Sequence, residues 1–260
     1  MDRHWLSLSH ADTDRFGLRI VRGRIEDTEP APGALRAEFS ELKADIAIIR
    51  LPAGDLGPLR ELMDHGLTPI HADTLVYCAR ALDCTIKDKS INCALTVELA
   101  RPEDLDSIAM VAERAFSTYR SHYHANRLLD PGLITKGYAE WATSFLTQQT
   151  PGYDTWVVRH EENIIAFATC RLSPSSGSVE IVLNAVDPAS AGQGVYSHLL
   201  NQVLYSYWRR DFKRVCISTQ IWNYIVQKAW ARAGFVITHA YDTYHINFSP
   251  GSREDLTHPV

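Results

Sequence analysis

With 260 residues, 45% of them apolar, the chain is long enough for one large domain or two smaller ones, each with its own core. A net charge of -5 argues against a general nucleic-acid binder, and no apolar run is long enough to span a membrane as a helix. Residues 1–16 lack the apolar segment of a secretory leader. The five cysteines form no C-x-x-C pair, which reads as reduced, mostly buried thiols of a cytoplasmic protein.

In chain order, residues 15–25 read as a strand and Glu26–Gly33, rich in Pro and acid, as a loop. The β-branched run 44–51 reads as a buried strand broken after Pro52, followed by a helix over Leu56–Met63 that Gly66 ends. Residues 68–78 return as a strand, and the polar stretch 84–94 reads as a connector. These signals predict a smaller α/β domain over 1–94 and a second domain over 95–260. In the second, a strand at Val97–Leu99 precedes a helix opened by Pro102 and its acidic neighbours, where the helix dipole favours negative charge. A loop over 117–131, rich in aromatics and histidine, separates that helix from another at 132–147. Strands at 154–160, 164–172 and 178–186 follow. Then come a helix at 194–209, a strand at 213–219, a helix at 223–233 and a last strand at 236–248. This order predicts an α/β fold, a mixed and mostly antiparallel sheet with helices on both faces. There is also an internal echo: a shift that lays Asp55 on Asn223 brings Leu62 to Trp230 and Gly66-Leu67 to Gly234-Phe235.

The most informative stretch runs from Val186 through Asp187-Pro188 and the two glycines, Gly192 and Gly194, into an apolar-striped helix. Glycines let a backbone approach a ligand closely, and a helix start presents unpaired N–H groups and a positive dipole end. Together they suit a phosphate or pyrophosphate, although a tight strand-to-helix turn has the same residues. The segment Ala191-Gly-Gln-Gly194-Val-Tyr196 resembles the Q/R-x-x-G-x-G/A motif of the GNAT superfamily of acyl-CoA N-acyltransferases, with Ala191 and Tyr196 departing from it. Asn223-Tyr-Ile-Val226-Gln-Lys-Ala-Trp230-Ala-Arg-Ala-Gly234-Phe235 resembles that superfamily's N-x-x-A-x-x-L-Y-x-x-x-G-F signature, with Trp230 at the tyrosine. A narrower resemblance, to the dTDP-fucosamine acetyltransferase family, rests on Asp14-Arg-Phe-Gly17, Gly66-Leu67, Tyr138-Ala-Glu-Trp141 and Ser218-Thr-Gln220.

The resemblance implies a GNAT fold over 95–260 preceded by a degenerate GNAT-like half-domain, with acetyl-CoA as co-substrate and no metal. It implies a small-molecule amine as acceptor, in the narrower family the amino group of a dTDP-linked amino-dideoxy sugar. The acyl group would pass to that amine by direct attack. Cofactor-binding residues are expected at Asn184, Ala185, Val186, Gln193, Gly194, Val195, Tyr196, Ser197, Asn223, Lys228 and Trp230. Acceptor-binding residues are expected at Tyr119, Arg120, His122, Tyr123 and Gln220. Glu180 is the candidate base, though it equally suits the solvent side of a half-buried strand. The indole of Trp230 is no proton donor at neutral pH, so either the thiolate leaves without a specific acid or another group serves, with Tyr196, Tyr224, Tyr244 and His245 as candidates. Arg209-Arg210 and Lys213-Arg214 are candidates for the coenzyme's 3′-phosphate, and the last strand is a candidate edge for a second subunit. Two other functions stay open: an acyltransferase for another amine, such as a peptide or antibiotic-like metabolite, and a catalytically weak acyl-CoA-binding protein.

Overall fold

The protein is described from a computed structural model, which covers residues 4–25, 33–88, 94–147 and 152–248. Most of the expected loop at Glu26–Gly33, Cys93 and part of the 84–94 connector lie outside the described residues. The elements are β1 (Leu6–Leu8), α1 (His10–Phe16), β2 (Ile20–Arg24), α2 (Ala34–Glu41), β3 (Ile46–Pro52), α3 (Gly57–Asp64), β4 (Ile70–Ala81) and β5 (Leu95–Leu99). They continue with α4 (Leu105–Phe116), α5 (Pro131–Thr147), β6 (Tyr153–His160), β7 (Asn163–Ser173), β8 (Ser178–Val186), α6 (Val195–Arg209), β9 (Arg214–Gln220), α7 (Tyr224–Arg232) and β10 (Val236–Asn247).

The chain forms two compact units. The first comprises residues 1–76, 121–133 and 239–260, and the second residues 77–120 and 134–238. Strands β4 and β10 each begin in one unit and finish in the other.

In the first unit β2 pairs with β1 antiparallel and with β3 parallel, and β3 pairs with β10 antiparallel. Successive residues of a strand point to opposite faces. Val21, Ala47, Ile49, Leu51 and Ile246 therefore form one core with Leu35 and Phe39 of α2 and Leu59 and Leu62 of α3. Ile20, Ile46 and Ile48 face the other way, toward Leu129 and Tyr123. Two expectations change here. Residues 15 and 16 are helical, because α1 runs through Phe16 to Gly17 at φ 65, whose N–H closes the helix on Thr13 O; β2 begins only at Ile20. Helix α2 was not expected, although Leu35 and Phe39 stand four apart, as one buried face requires. The last strand is also not a free edge, since β10 is laddered to β3 from Tyr241 to Asn247.

The second unit is a layered sheet in the order β4-β9-β8-β7-β6-β5, in which β4, expected with the first domain, lies beside β9. Strands β5 to β8 are antiparallel, and β8 and β9 are parallel. Val157, Phe167 and Leu183 pack on α4 and α5, with Ile108, Phe116 and Ala142 fully or nearly buried. On the opposite face Trp156 donates its indole N–H to the buried Tyr207 hydroxyl of α6 at 2.9 Å.

The internal echo becomes a shared helix stop. Helix α3 ends with Gly66 N–H bonded to Met63 O and Leu67 N–H to Leu62 O; α7 ends with Gly234 N–H bonded to Ala231 O and Phe235 N–H to Trp230 O. Gly66 and Gly234 sit at φ 76 and 82, the left-handed region that a residue without Cβ enters freely.

Candidate active site

The site begins where two parallel strands part. The ladder between β8 and β9 runs from Ser178↔Arg214 to Ile181↔Ile217 and stops, yet β8 continues to Val186 and β9 to Gln220. Among the described residues β8 beyond Ile181 keeps only β7, from Leu183↔Thr169 to Val186↔Ala166, with an irregularity at Thr169/Cys170. The β9-facing edge of Asn184, Ala185 and Val186 is thereby opened to accept hydrogen bonds from, or donate them to, an extended ligand. Nothing in the alternation of Val179 to Val186 signals this parting. It follows from where β9 goes, not from β8 itself.

After β8 the chain turns through Pro188–Ser190, with Ala189 N–H held by Asp187 Oδ1, and reaches Gly192 at φ 77 and Gly194 at φ 79. A Cβ on either glycine would meet no atom within 4 Å, so the space over them is open. Helix α6 starts at Val195, and its first bond to the turn is His198 N–H to Gly194 O. The N–H groups of Gly192 through Ser197 therefore have no partner among the described residues. This row of donors at a helix start, with Gln193 and Ser197 exposed, fits the pyrophosphate of an acyl-CoA. Arg209-Arg210 and Lys213-Arg214 do not join it. They lie at the far end of α6, about 20 Å along its axis. There Arg210 pairs with Asp154 and Lys213 with Asp211.

Trp230, 1% exposed, donates its indole N–H to Tyr196 Oη at 2.6 Å. Burial pushes the Tyr196 phenol above its ordinary range, and the bond from Trp230 acts in the other direction. Because Trp230 donates, the Tyr196 hydroxyl keeps its own proton for a further acceptor. Asn223 precedes α7 and donates to Thr219 Oγ1 at 3.0 Å, while Lys228 is exposed on the helix.

Of the expected acceptor residues, Tyr119, Arg120 and Gln220 come together in the second unit. The Tyr119 hydroxyl bonds to Gln220 Oε1, and the Arg120 guanidinium lies 5.4 Å from the centroid of Trp222. Sequence reasoning missed Trp222, which stands 5.1 Å from Tyr119, and the stacked pair Phe116–Tyr138 beside it at 4.3 Å. His122, Tyr123 and Tyr244 belong to the first unit. The His122 and His245 rings bond at 2.9 Å between Nδ1 and Nε2, Tyr123 donates to Asp12 at 2.8 Å, and Tyr244 lies within the core cluster there. Glu180 sits on the closed part of the β8–β9 ladder, opposite Cys216, and is ion-paired with Arg171 of β7. Among the described residues no cluster of three or more metal-ligating side chains occurs, and no helix is long and apolar enough to cross a membrane.

Residues 115–235 match the Acetyltransferase (GNAT) family model, and the chain has the GNAT fold. Among solved structures it is similar to a GCN5-related N-acetyltransferase from Sphaerobacter thermophilus, with 16% identity over 94% of this chain and 76% of that one, TM-score 0.65. It is also similar to a tandem GNAT protein from the clavulanic acid biosynthesis pathway (12% identity, 90% and 77% covered, TM-score 0.62). A GCN5-related N-acetyltransferase from Kribbella flavida shares 13% identity over 91% and 84%, TM-score 0.56. At these identities the likeness is one of fold. A search of curated protein sequences returns no match.

Proposed function

We propose that this protein transfers an acyl group, acetyl in the first instance, from acyl-CoA to the amino group of a nucleotide-linked amino-dideoxy sugar. The observation that carries the transfer is the unpaired N–H row of Gly192 through Ser197 beside the opened edge of β8. The co-substrate supplies an activated acyl thioester. The chain's own groups hold and orient it: the glycine turn takes the diphosphate, and the free edge of Asn184 to Val186 takes the extended arm and polarises the carbonyl. The Tyr196 hydroxyl, fixed by Trp230, donates a proton to the departing sulfur. Aromatic and amide groups at Tyr119, Tyr138, Trp222 and Gln220 support the sugar reading, since ring faces and a planar amide suit the apolar face and hydroxyls of a pyranose. Residues 1–94 are read as a degenerate GNAT-like half and 95–260 as the acyltransferase part.

Glu180 was the expected base. It is ion-paired with Arg171 on the closed part of the β8–β9 ladder, away from the opened edge of Asn184 to Val186, and we favour deprotonation of the amine through solvent. Glu180→Gln should then leave the pH dependence of kcat/KM unchanged; loss of its acidic limb would return the role to Glu180. The reading as a whole is tested by calorimetry with acetyl-CoA, followed by thiol release with dTDP-amino sugars and a panel of other amines. Absence of acetyl-CoA binding would sink it. Thiol release on another amine alone would change the acceptor, and binding with no release on any amine would leave a non-catalytic acyl-CoA binder.

A further inference from the structure

From Asp187 to Ser197 the chain carries one charged side chain, the carboxylate of Asp187, and no cation. Ala191 stands where the motif this segment resembles has Gln or Arg. A carboxylate at the entrance to a row of N–H donors repels any second anion drawn to the same row. For a turn that is to hold a diphosphate, this charge needs both a use and an offset.

Asp187 is 8% exposed, and both its oxygens are engaged. Oδ1 accepts the N–H of Ala189 at 2.9 Å, and Oδ2 accepts from Arg114 Nη1 at 2.9 Å. The backbone closes around the same residue. Asp187 N–H bonds to Ile165 O of β7 and Ser190 N–H to Asp187 O, each at 2.8 Å, and Ala191 N–H bonds to Pro188 O at 3.2 Å. The carboxylate thus fixes the turn at its root, just ahead of Gly192. Arg114 comes from the last turn of α4, where the negative end of the helix dipole favours a cation. Its side chain is 60% exposed and that of Asp187 11%. An ion pair with one partner so open to water adds little stability. Its consequence lies in where its charge falls, beside the turn.

We propose that Asp187 and Arg114 are positioning residues of the acyl-CoA site. The Asp187 carboxylate sets the path of the turn that presents Gly192 through Ser197 to the diphosphate, and the Arg114 guanidinium cancels the repulsion that this carboxylate would exert on it. The inference rests on the proposed binding of acyl-CoA at the glycine turn, and it accounts for a polyanion site whose turn holds no basic residue.

The test is calorimetry of the full chain with acetyl-CoA at about 20 mM and about 0.5 M salt, Debye lengths of roughly 20 Å and 4 Å. Arg114→Gln leaves the carboxylate uncompensated and should raise the Kd about threefold to tenfold over the parent at low salt, and little at high salt. Adding Asp187→Asn to it keeps an acceptor for Ala189 N–H without the charge, and should bring the Kd back near that of the parent. Arg114→Lys, which keeps the charge, should resemble the parent. Asp187→Ala removes charge and acceptor together, and should bind about tenfold more weakly than Asp187→Asn alone. Thermal melts without ligand check that each variant folds, and Arg114→Gln with its double variant decides the charge balance whether or not Asp187→Ala does. A double variant as weak as Arg114→Gln is the result of a simple tether and would overturn the proposal. So would an Arg114→Gln Kd equal to the parent's at low salt, a loss that salt does not reduce, or equal affinities of Asp187→Ala and Asp187→Asn. Failure of the parent itself to bind acetyl-CoA would instead remove the reading of the glycine turn, and this proposal with it.

Discussion

Tyr196 and Trp230 show what a single position can change. At Trp230 the sequence places an indole at the tyrosine of the signature it resembles, and the structure puts a phenol, Tyr196, within 2.6 Å of that indole. If Tyr196 is the donor, Tyr196→Phe should lower kcat by about 10²–10⁴-fold and leave the affinity for acetyl-CoA nearly unchanged. Trp230→Phe, which removes only the bond that orients Tyr196, should give a smaller loss in kcat. Steady-state kinetics with separate determination of kcat and KM checks both. A second residue-scale prediction concerns His245, fully buried with Nδ1 unpartnered among the described residues. Burial, then the Arg22 charge, push it down to about 4 from its ordinary 6.5. The folded state thus refuses a proton that the unfolded chain accepts below about pH 6.5. Stability contributed at neutral pH should be lost as pH falls from about 6.5 toward 4, by up to roughly 3 kcal/mol. Urea titrations across that window should show this slope, and His245→Gln should reduce it, leaving the share of His122, whose buried ring is also pushed down.

At the scale of elements, the two glycine-ended helices allow a paired comparison. Gly66→Ala and Gly234→Ala each force an L residue to positive φ, at a cost of about 1 kcal/mol. At Gly66 the new methyl meets open space; at Gly234 it would fall 1.4 Å from a terminal nitrogen of Arg80, which must move away. Gly234→Ala should therefore be the more destabilising, read as a lower urea midpoint at constant m-value. These turns were legible in the sequence, since a helix that stops at Gly followed by a buried apolar residue has a local cause. So was α6, with Val195, Leu199, Leu200 and Val203 on one stripe. Helix α1 was not, because Arg15 and Phe16 look strand-like beside Ile20 and Val21 until Gly17 is seen to end a helix. The short α2 carries only two buried residues, Leu35 and Phe39, too few to stand out as a period.

For the whole molecule, acetyl-CoA that binds only the folded chain should raise its stability by mass action, about 2.7 kcal/mol at a ligand concentration of 100 Kd. Differential scanning fluorimetry should show the midpoint rising with acetyl-CoA, and a Gly194→Ala variant, with a methyl placed over the N–H row, should need a higher concentration for the same shift. By itself the sequence determined the α/β class, the order of nearly all elements of the second unit and the glycine turn. These follow from hydrophobic period and from backbone angles that only glycine adopts easily, both local properties. The tertiary structure alone decided the parting of β8 from β9, the meeting of Tyr196 with Trp230 and of Tyr119 with Gln220, and the pairing of Arg114 with Asp187. Each depends on residues distant in the chain or on the register between strands, which no local pattern specifies.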